Sequence, residues 1–204
     1  MVSRRVLHLL FAPLLSALVV SCRATPDFTG SRPPVGQRGF VRHTEEITVQ
    51  VPIRRLEEWR RSRPLESTLR GTKRIAGVAR TEIVRRTWDE VGARRHVILK
   101  DGNQTTEEVL QVTRPTLFRY EVWGFTNWAR FLTDYAVGEF QYREVPGGTA
   151  VKWTYSFHQR SLLAAPLLSW AVRTDFAEFM RSALQTMKQQ GENDYREKPA
   201  GASP

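Results

Sequence analysis

The chain has 204 residues, of which 41% are hydrophobic and 10% aromatic, and a formal net charge of +10 at pH 7. This composition excludes a disordered chain, and the length suits one domain of ordinary size. A basic protein of this kind can bind nucleic acid or an anionic membrane surface. Cys22 is the only cysteine, which excludes a disulfide or a cysteine-based metal cluster within one molecule.

Residues 1–21 are predicted to be a signal peptide. Arg4 and Arg5 precede an apolar run over residues 6–20, which is shorter than the roughly 20 residues of a membrane span. The closing segment Val19–Cys22 (VVSC) resembles the lipobox of bacterial lipoproteins, in which the cysteine is acylated and becomes the first residue. An ordinary cleaved signal peptide and an uncleaved anchor are the alternatives.

Acylation of Cys22 implies a domain that is held on a membrane of the bacterial cell envelope and faces the periplasm. Export argues against a nucleic-acid partner, and the simplest interpretation of the many arginines is a solvated surface. Residues 22–40 are rich in proline and glycine and are predicted to be a flexible tether. The folded domain is then expected over residues 41–190, with a disordered tail over residues 191–204.

The domain begins with a predicted strand in which Ile47, Val49 and Val51 alternate with polar residues, followed by a helix over residues 53–62 between two prolines. Asp101-Gly102 is a strong hairpin signal. Hairpin links of this kind predict an antiparallel sheet of about seven strands. The six further strands are predicted at residues 78–88, 94–100, 105–113, 117–125, 134–145 and 149–159.

The last predicted element is a helix from about Leu163 to Gln190, with Gly191 as a plausible end. Its apolar residues recur at steps of three and four and share one face: Leu168, Val172, Phe176, Phe179, Ala183 and Met187. The preceding strand alternates Val151, Trp153, Tyr155 and Phe157 with polar residues, so its aromatic face is expected to meet the helix. Trp123 breaks the alternation of its strand, which indicates an outward position beside an arginine or a bulge.

The order of strand, short helix, hairpin strands and long carboxy-terminal helix resembles the START/Bet v 1-like (SRPBCC) helix-grip superfamily, including its polyketide cyclase/dehydrase-like branch. The resemblance rests on LFRYEVWGF (117–125), GGTAVKWTYSF (147–157) and the helix segment ending in FAEFMRSALQTMK. It implies an α+β fold in which a curved antiparallel sheet wraps the long helix around an apolar cavity. Members of the superfamily bind or carry apolar molecules, and some cyclise or hydrolyse them.

A curved sheet cannot close flush on a straight helix, which favours a cavity over a filled core. Plain core packing of the same residues is the alternative. The predicted cavity lining is Leu110, Tyr120, Val122, Phe140, Trp153, Tyr155, Phe157, Val172, Phe176, Phe179 and Met180.

The link over residues 126–133 carries an unusual apolar load in Trp128, Phe131 and Leu132. It is interpreted as a portal over the cavity mouth or an edge that enters the bilayer. A loop packed against the end of the helix is the alternative.

No catalytic residue, metal site or cofactor is predicted. His43, His96 and His158 lie on separate strands without metal-ligand spacing, and no nucleophile elbow or phosphate-binding loop is present. An inward glutamate beside Tyr120 or Tyr155 could act as an acid or base, but salt bridges to arginine explain the strand glutamates better. The strand glutamates are Glu82, Glu107, Glu108, Glu121 and Glu139.

The sequence therefore favours a lipid-anchored domain that binds or transports an apolar small molecule or lipid, with tyrosine hydroxyls fixing the orientation of the ligand. A cyclase- or hydrolase-like enzyme in the same cavity is the first alternative, and a polar cluster around an inward carboxylate would support it. The second is a non-catalytic module whose arginines bind anionic lipid or envelope polymers.

Overall fold

The computed structural model describes residues 31–197. The predicted signal peptide, Cys22 and the last seven residues lie outside the described residues. The elements are β1 (Phe40–Val49), α1 (Ile53–Ser62), α2 (Leu65–Thr68), β2 (Val78–Arg85), β3 (Arg94–Leu99), β4 (Gln104–Thr113), β5 (Leu117–Trp123), a 3₁₀ turn (Trp128–Phe131), β6 (Thr133–Val145), β7 (Gly148–Gln159), α3 (Ala165–Ala171), a π-turn (Val172–Phe176) and α4 (Ala177–Glu197).

The seven strands form one antiparallel sheet in the order β1-β7-β6-β5-β4-β3-β2. Neighbours in the sheet are neighbours in sequence except where β1 closes onto β7, as the hairpin signals predict. The sheet is curved and the carboxy-terminal helix packs on its inner face. The predicted α+β helix-grip fold is therefore confirmed.

The inner face of β7 packs on the carboxy-terminal helix as predicted. Val151, Trp153, Tyr155 and Phe157 are all buried in the main core, where they join residues of α3 and α4. Lys152 between them is exposed on the other face. The period of two in this strand thus sets which side of the sheet encloses the helix.

The helix departs from its predicted form in two places. A π-turn at Val172–Phe176 separates α3 from α4, and the helix continues past Gly191 to Glu197, so residues 191–197 do not belong to a disordered tail. Gly191 is buried against α1, and a Cβ built on it would lie 3.5 Å from Leu56 Cδ1. The glycine lies at the contact between the two helices, and the space there would admit a methyl group in ordinary van der Waals contact.

The described part of the predicted tether is seated on the outer face of the sheet. Arg32 Nη1 lies 2.7 Å from Glu121 Oε2, and the Gly36 amide donates a hydrogen bond of 2.7 Å to the Tyr135 hydroxyl. Val35 packs on an outer cluster that also holds Trp123. We call residues 32–39 the strap; the tether prediction fails here because these contacts fix the chain.

Trp123 and Leu110 both lie on the outer face. Trp123 faces outward with the Arg94 guanidinium 5.1 Å from its ring, yet it is only 3% exposed because the strap covers it. The prediction that Leu110 lines the cavity is wrong, since Leu110 packs on the same outer cluster. A register shift between Val109 and Gln111 reverses the phase of β4, so that Val109 takes the inner position.

Candidate ligand-binding cavity

Two neighbouring cavities lie between the sheet and the carboxy-terminal helix. The α1 cavity has a volume of about 290 Å³ and reaches from Trp59 on α1 to Tyr120 on β5. The loop cavity has a volume of about 320 Å³ and reaches from Tyr155 on β7 to Trp128 in the link before β6. Trp153 lines both cavities. Each volume is near the lower end of the range for small-molecule sites.

The structure brings most of the predicted lining together. Tyr120 and Phe140 line the α1 cavity, and Trp153 lies at the boundary of the two cavities. Met180 is fully buried in the main core instead, and Leu110 lies outside as described above. The loop cavity contains Val122, Tyr155, Phe157, Val172, Phe176 and Phe179.

Stacked aromatic rings form the wall of the cavities. Phe140 stacks on Trp153 with ring centroids 4.8 Å apart, and Tyr155 meets Phe176 edge-to-face at 4.8 Å. Ring pairs in these geometries contribute about 0.5–1.5 kcal/mol each beyond their burial. The wall is therefore rigid, and space remains beside it because large planar rings do not fill the curvature of the sheet.

A buried ion pair lies within this apolar wall. Arg95 on β3 donates from Nε to Glu107 Oε2 at 2.7 Å, and Nη2 lies 2.6 Å from the same oxygen. The two residues are 8% and 6% exposed. Arg95 lines the α1 cavity and Glu107 the loop cavity, and the guanidinium stacks 3.6 Å from the centroid of the Trp88 ring.

The period of two along β3 and β4 indicates that Arg95 and Glu107 face inward. The signal is weak in the sequence because Arg95 stands next to a second arginine, Arg94. Arg95 is in phase with Val97 on β3, whose side chain faces the core, whereas Arg94 is out of phase. Glu107 is in phase with Val109, but the bulge after Val109 hides this relation. Of the strand glutamates, Glu107 is the inward one.

The remaining strand glutamates pair with arginine on the outer face, as predicted. Glu108 binds Arg94 and Arg32, and Glu121 binds Arg32. Burial raises the pKa of the Glu121 carboxyl, and the hydrogen bond and charge of Arg32 oppose that shift. These carboxylates hold the strap and take no part in the cavities.

Two tyrosine hydroxyls face the Arg95–Glu107 pair. Tyr120 and Tyr155 are hydrogen-bonded to each other, with ring centroids 6.0 Å apart. Burial raises the pKa of both phenols, and the charge of Glu107 adds to the effect. Both therefore stay neutral at physiological pH and offer O–H groups rather than a base.

The Trp153 indole adds a further donor. Its Nε1 approaches the Tyr120 hydroxyl, yet it is buried without a satisfactory hydrogen bond within residues 31–197. Buried N–H groups without a partner are rare in folded proteins. The group therefore indicates a place for an oxygen of a bound molecule or water.

The predicted portal segment is divided between the surface and the core. Trp128 lines the loop cavity while 50% exposed, and Phe131 is 53% exposed. Leu132 is buried in the main core, so its assignment to the portal is wrong. Asn127 caps the 3₁₀ turn by accepting a hydrogen bond from the Ala129 amide, which fixes the direction of Trp128.

Within the described residues, no three His, Cys, Asp or Glu side chains form a group able to hold a metal ion. None of the described helices is long and apolar enough to cross a membrane. His43 contacts Glu45 on its own strand, and His158 stacks on Tyr135 on the outer face. His96 follows Arg95 on β3 but points to the opposite face of the sheet, where its Nδ1 lies 3.1 Å from Thr106 Oγ1.

Comparison with known proteins gives the family. A profile described as "Polyketide cyclase / dehydrase and lipid transport" matches residues 41–192, which is most of the chain. The chain belongs to this family. The match spans all seven strands and the helix as far as Glu192, and hence every residue that lines the two cavities. No curated protein matches the chain significantly.

Solved structures show the same fold at low sequence identity. Ara h 8.0201 is 18% identical with a TM-score of 0.61, covering 76% of this chain and 99% of its own. A protein from Nitrosospira multiformis is 20% identical with a TM-score of 0.55, covering 76% and 99%. The di-domain ARO/CYC protein StfQ of the steffimycin biosynthetic pathway is 12% identical with a TM-score of 0.57, covering 77% and 52%.

Gly138 on β6 makes room for Tyr120, because a Cβ at this position would lie 2.4 Å from Tyr120 Cζ. We expect Gly138→Ala to displace the tyrosine ring and lower the free energy of unfolding by about 1–3 kcal/mol. Gly191→Ala is the matched control, since its Cβ has ordinary contacts; it should be neutral or stabilising by up to about 1 kcal/mol. Denaturant unfolding measures both, and equal effects would contradict the tight fit at Tyr120.

Proposed function

We propose that the domain binds or transports an apolar small molecule or lipid that carries one polar group. The observation that supports this is a buried set of hydrogen-bond donors in an aromatic cavity wall. Apolar burial supplies affinity at roughly 25 cal/mol per Å², and the polar group fixes orientation. The family description and the helix-grip fold agree with this function.

The donors define the polar end of the ligand. Tyr120 and Tyr155 are hydrogen-bonded to each other, so the pair offers one free neutral O–H, and Trp153 offers an N–H. A ligand carbonyl, hydroxyl or ester oxygen satisfies such donors. The positive charge of Arg95 is already matched by Glu107, so the site favours a neutral oxygen over a fully charged head group.

We expect a naphthyl ketone fluorophore, which combines an apolar ring with a carbonyl, to bind the purified chain saturably with a blue-shifted emission. Trp153→Phe removes the N–H and retains a ring, and it should weaken binding about three- to tenfold, the value of one neutral hydrogen bond. Trp123→Phe is the control, because Trp123 lies on the outer face.

Absence of saturable binding would mean that the aromatic residues are plain core. Equal weakening by both tryptophan variants would place the probe outside the cavities. Native mass spectrometry of the purified chain identifies the natural ligand if a small molecule co-purifies.

A cyclase- or dehydrase-like enzyme is the second candidate, and the inward carboxylate favours it. Both Arg95 contacts go to Oε2 of Glu107, which leaves Oε1 to accept a proton from a molecule in the loop cavity. The charge of Glu107 acts on the neutral Tyr120 and Tyr155 hydroxyls, which are placed to stabilise an enolate oxygen.

Glu107→Gln distinguishes the candidates. If the protein is an enzyme of this kind, the variant should bind the probe as the wild type does and should co-purify with a molecule one water heavier than that from the wild type. The same molecule in both preparations is the result expected of a carrier. Arg95→Met is the companion variant. It tests whether a change seen in Glu107→Gln arises from the broken ion pair rather than from the missing carboxylate.

The hypothesis of a surface module that uses its arginine doublets has less support. Arg61 binds Asp89, Arg85 and Arg94 bind Glu108, and Arg60 stacks on Phe118. Arginines held in this way are less available to anionic polymers. Binding of an envelope polymer that weakens with salt but persists with the cavity filled would restore that hypothesis.

The proposed setting is the bacterial cell envelope, with the domain anchored through acylated Cys22 and facing the periplasm. The support is the sequence Val19–Cys22 after the apolar run. We expect labelled palmitate to be incorporated into the wild-type chain in a bacterial host and not into Cys22→Ala, which should be found in the soluble fraction. Equal labelling of both chains would contradict acylation at Cys22.

A further inference from the structure

Large exposed apolar side chains are concentrated at one end of the molecule. Leu162 is 82% exposed and Leu163 is 94% exposed, both in the link between β7 and α3. Leucines this exposed are unusual when they occur in a group. We call the following set the apolar rim: Trp128, Phe131, Leu162, Leu163, Leu167 and Trp170.

The rim residues come from two segments that lie side by side. The Arg160 amide donates a hydrogen bond of 2.9 Å to the Leu132 carbonyl, and Arg160 Nη1 donates to the Arg130 carbonyl at 2.6 Å. These bonds join the end of β7 to the end of the 3₁₀ turn. Leu167 and Trp170 lie three residues apart on α3 and share one face, and Leu163 lies in the turn just before that helix.

The rim borders the loop cavity, and Trp128 belongs to both. Trp128 and Ala129 line that cavity from the 3₁₀ turn, and Leu168 and Ala171 line it from α3. The neighbouring Leu167 and Trp170 face outward. A molecule that enters the loop cavity at this end therefore passes between the apolar side chains of the rim.

The charges around the rim are suited to an anionic surface. Arg130 stacks 4.7 Å from the Phe131 centroid, and Arg173 follows Trp170 by three residues; neither has a carboxylate partner within the described residues. Arg160 lies 3.6 Å from Asp134, and Arg74 lies 3.3 Å from Asp175. Asp134 and Asp175 thus each have a basic partner, and Arg130 and Arg173 remain for lipid phosphates.

The strap reaches the sheet at the same end. The Gly36 amide binds Tyr135 near the start of β6, and a Cβ on Gly39 would lie 3.4 Å from His158 Nε2 near the end of β7. Arg32 lies ten positions after Cys22, a span of at most about 35 Å. A chain anchored at Cys22 would hold the rim close to the bilayer.

We propose that the apolar rim docks on a phospholipid bilayer, so that the mouth of the loop cavity opens into the membrane. Aromatic and leucine side chains enter the interface, and Arg130 and Arg173 contact phosphates. This inference rests on the proposed function, because docking gives an apolar ligand a route that avoids water. It identifies the bilayer as the source or destination of the ligand.

The test uses single-cysteine full-length chains in a Cys22→Ser background, labelled with an environment-sensitive NBD fluorophore. Leu163→Cys places the label on the rim, and Ile83→Cys places it on the edge strand β2, where Ile83 is 57% exposed. On phosphatidylcholine vesicles containing phosphatidylglycerol, the label at position 163 should show a blue shift and a several-fold rise in emission. The label at position 83 should not change.

A second comparison tests the anchors themselves. Trp128→Ala combined with Trp170→Ala should weaken partition of the position-163 chain onto these vesicles about tenfold. The variant should remain folded, because neither ring belongs to the buried core, and its unfolding curve serves as the control. Vesicles without phosphatidylglycerol should bind more weakly, since the arginine contribution is lost.

Equal responses at positions 163 and 83, or none at either, would overturn the docking proposal. A response at position 163 that depends on protein concentration without vesicles would also overturn it and assign the rim to self-association. Binding of the naphthyl ketone in vesicle-free solution reports on the cavities separately, so failure of docking and failure of ligand binding are distinguishable.

Discussion

Trp153, Tyr155 and Phe157 project from β7 towards a helix around which the sheet curves. Their packing on Phe176 and Phe179 holds sheet and helix together, and the shape of the remaining interior follows from it. Near β7 the contact is close, whereas toward β3 and β5 the sheet bends away and leaves the two cavities. The interaction that stabilises the fold is therefore also the one that leaves space for a ligand.

Burial of the Arg95–Glu107 pair in an apolar cavity wall costs desolvation free energy. The attraction between two buried charges rarely exceeds the solvation free energy that they lose. Replacing such a pair with apolar residues of similar size often leaves a protein equally stable or more stable. The pair is nevertheless well held, because Trp88 covers the guanidinium. A charged pair beside neutral Tyr120 and Tyr155 is better explained by the polarity it gives the cavity wall than by stability. Only the enzyme candidate depends on its carboxylate.

The sequence predicts the features that arise from local periodicity. The alternation of β7 and the helical spacing of Phe176 and Phe179 indicate which faces meet, and Asp101-Gly102 fixes a hairpin. It does not predict the bulge after Val109, since two apolar residues in succession there leave the phase of β4 ambiguous. Local alternation therefore places Leu110 inward and does not identify Glu107 as the inward glutamate.

Local sequence pattern also does not predict features that depend on contacts between residues far apart in the chain. The strap is held by Arg32 on Glu121 and by Gly36 on Tyr135, contacts that span about ninety residues or more of sequence, and its proline- and glycine-rich composition indicates a free linker. Gly191 likewise suggests a helix end, yet α4 continues through it to Glu197 and packs there against Leu56 and Trp59 of α1. In both cases tertiary packing overrides local propensity.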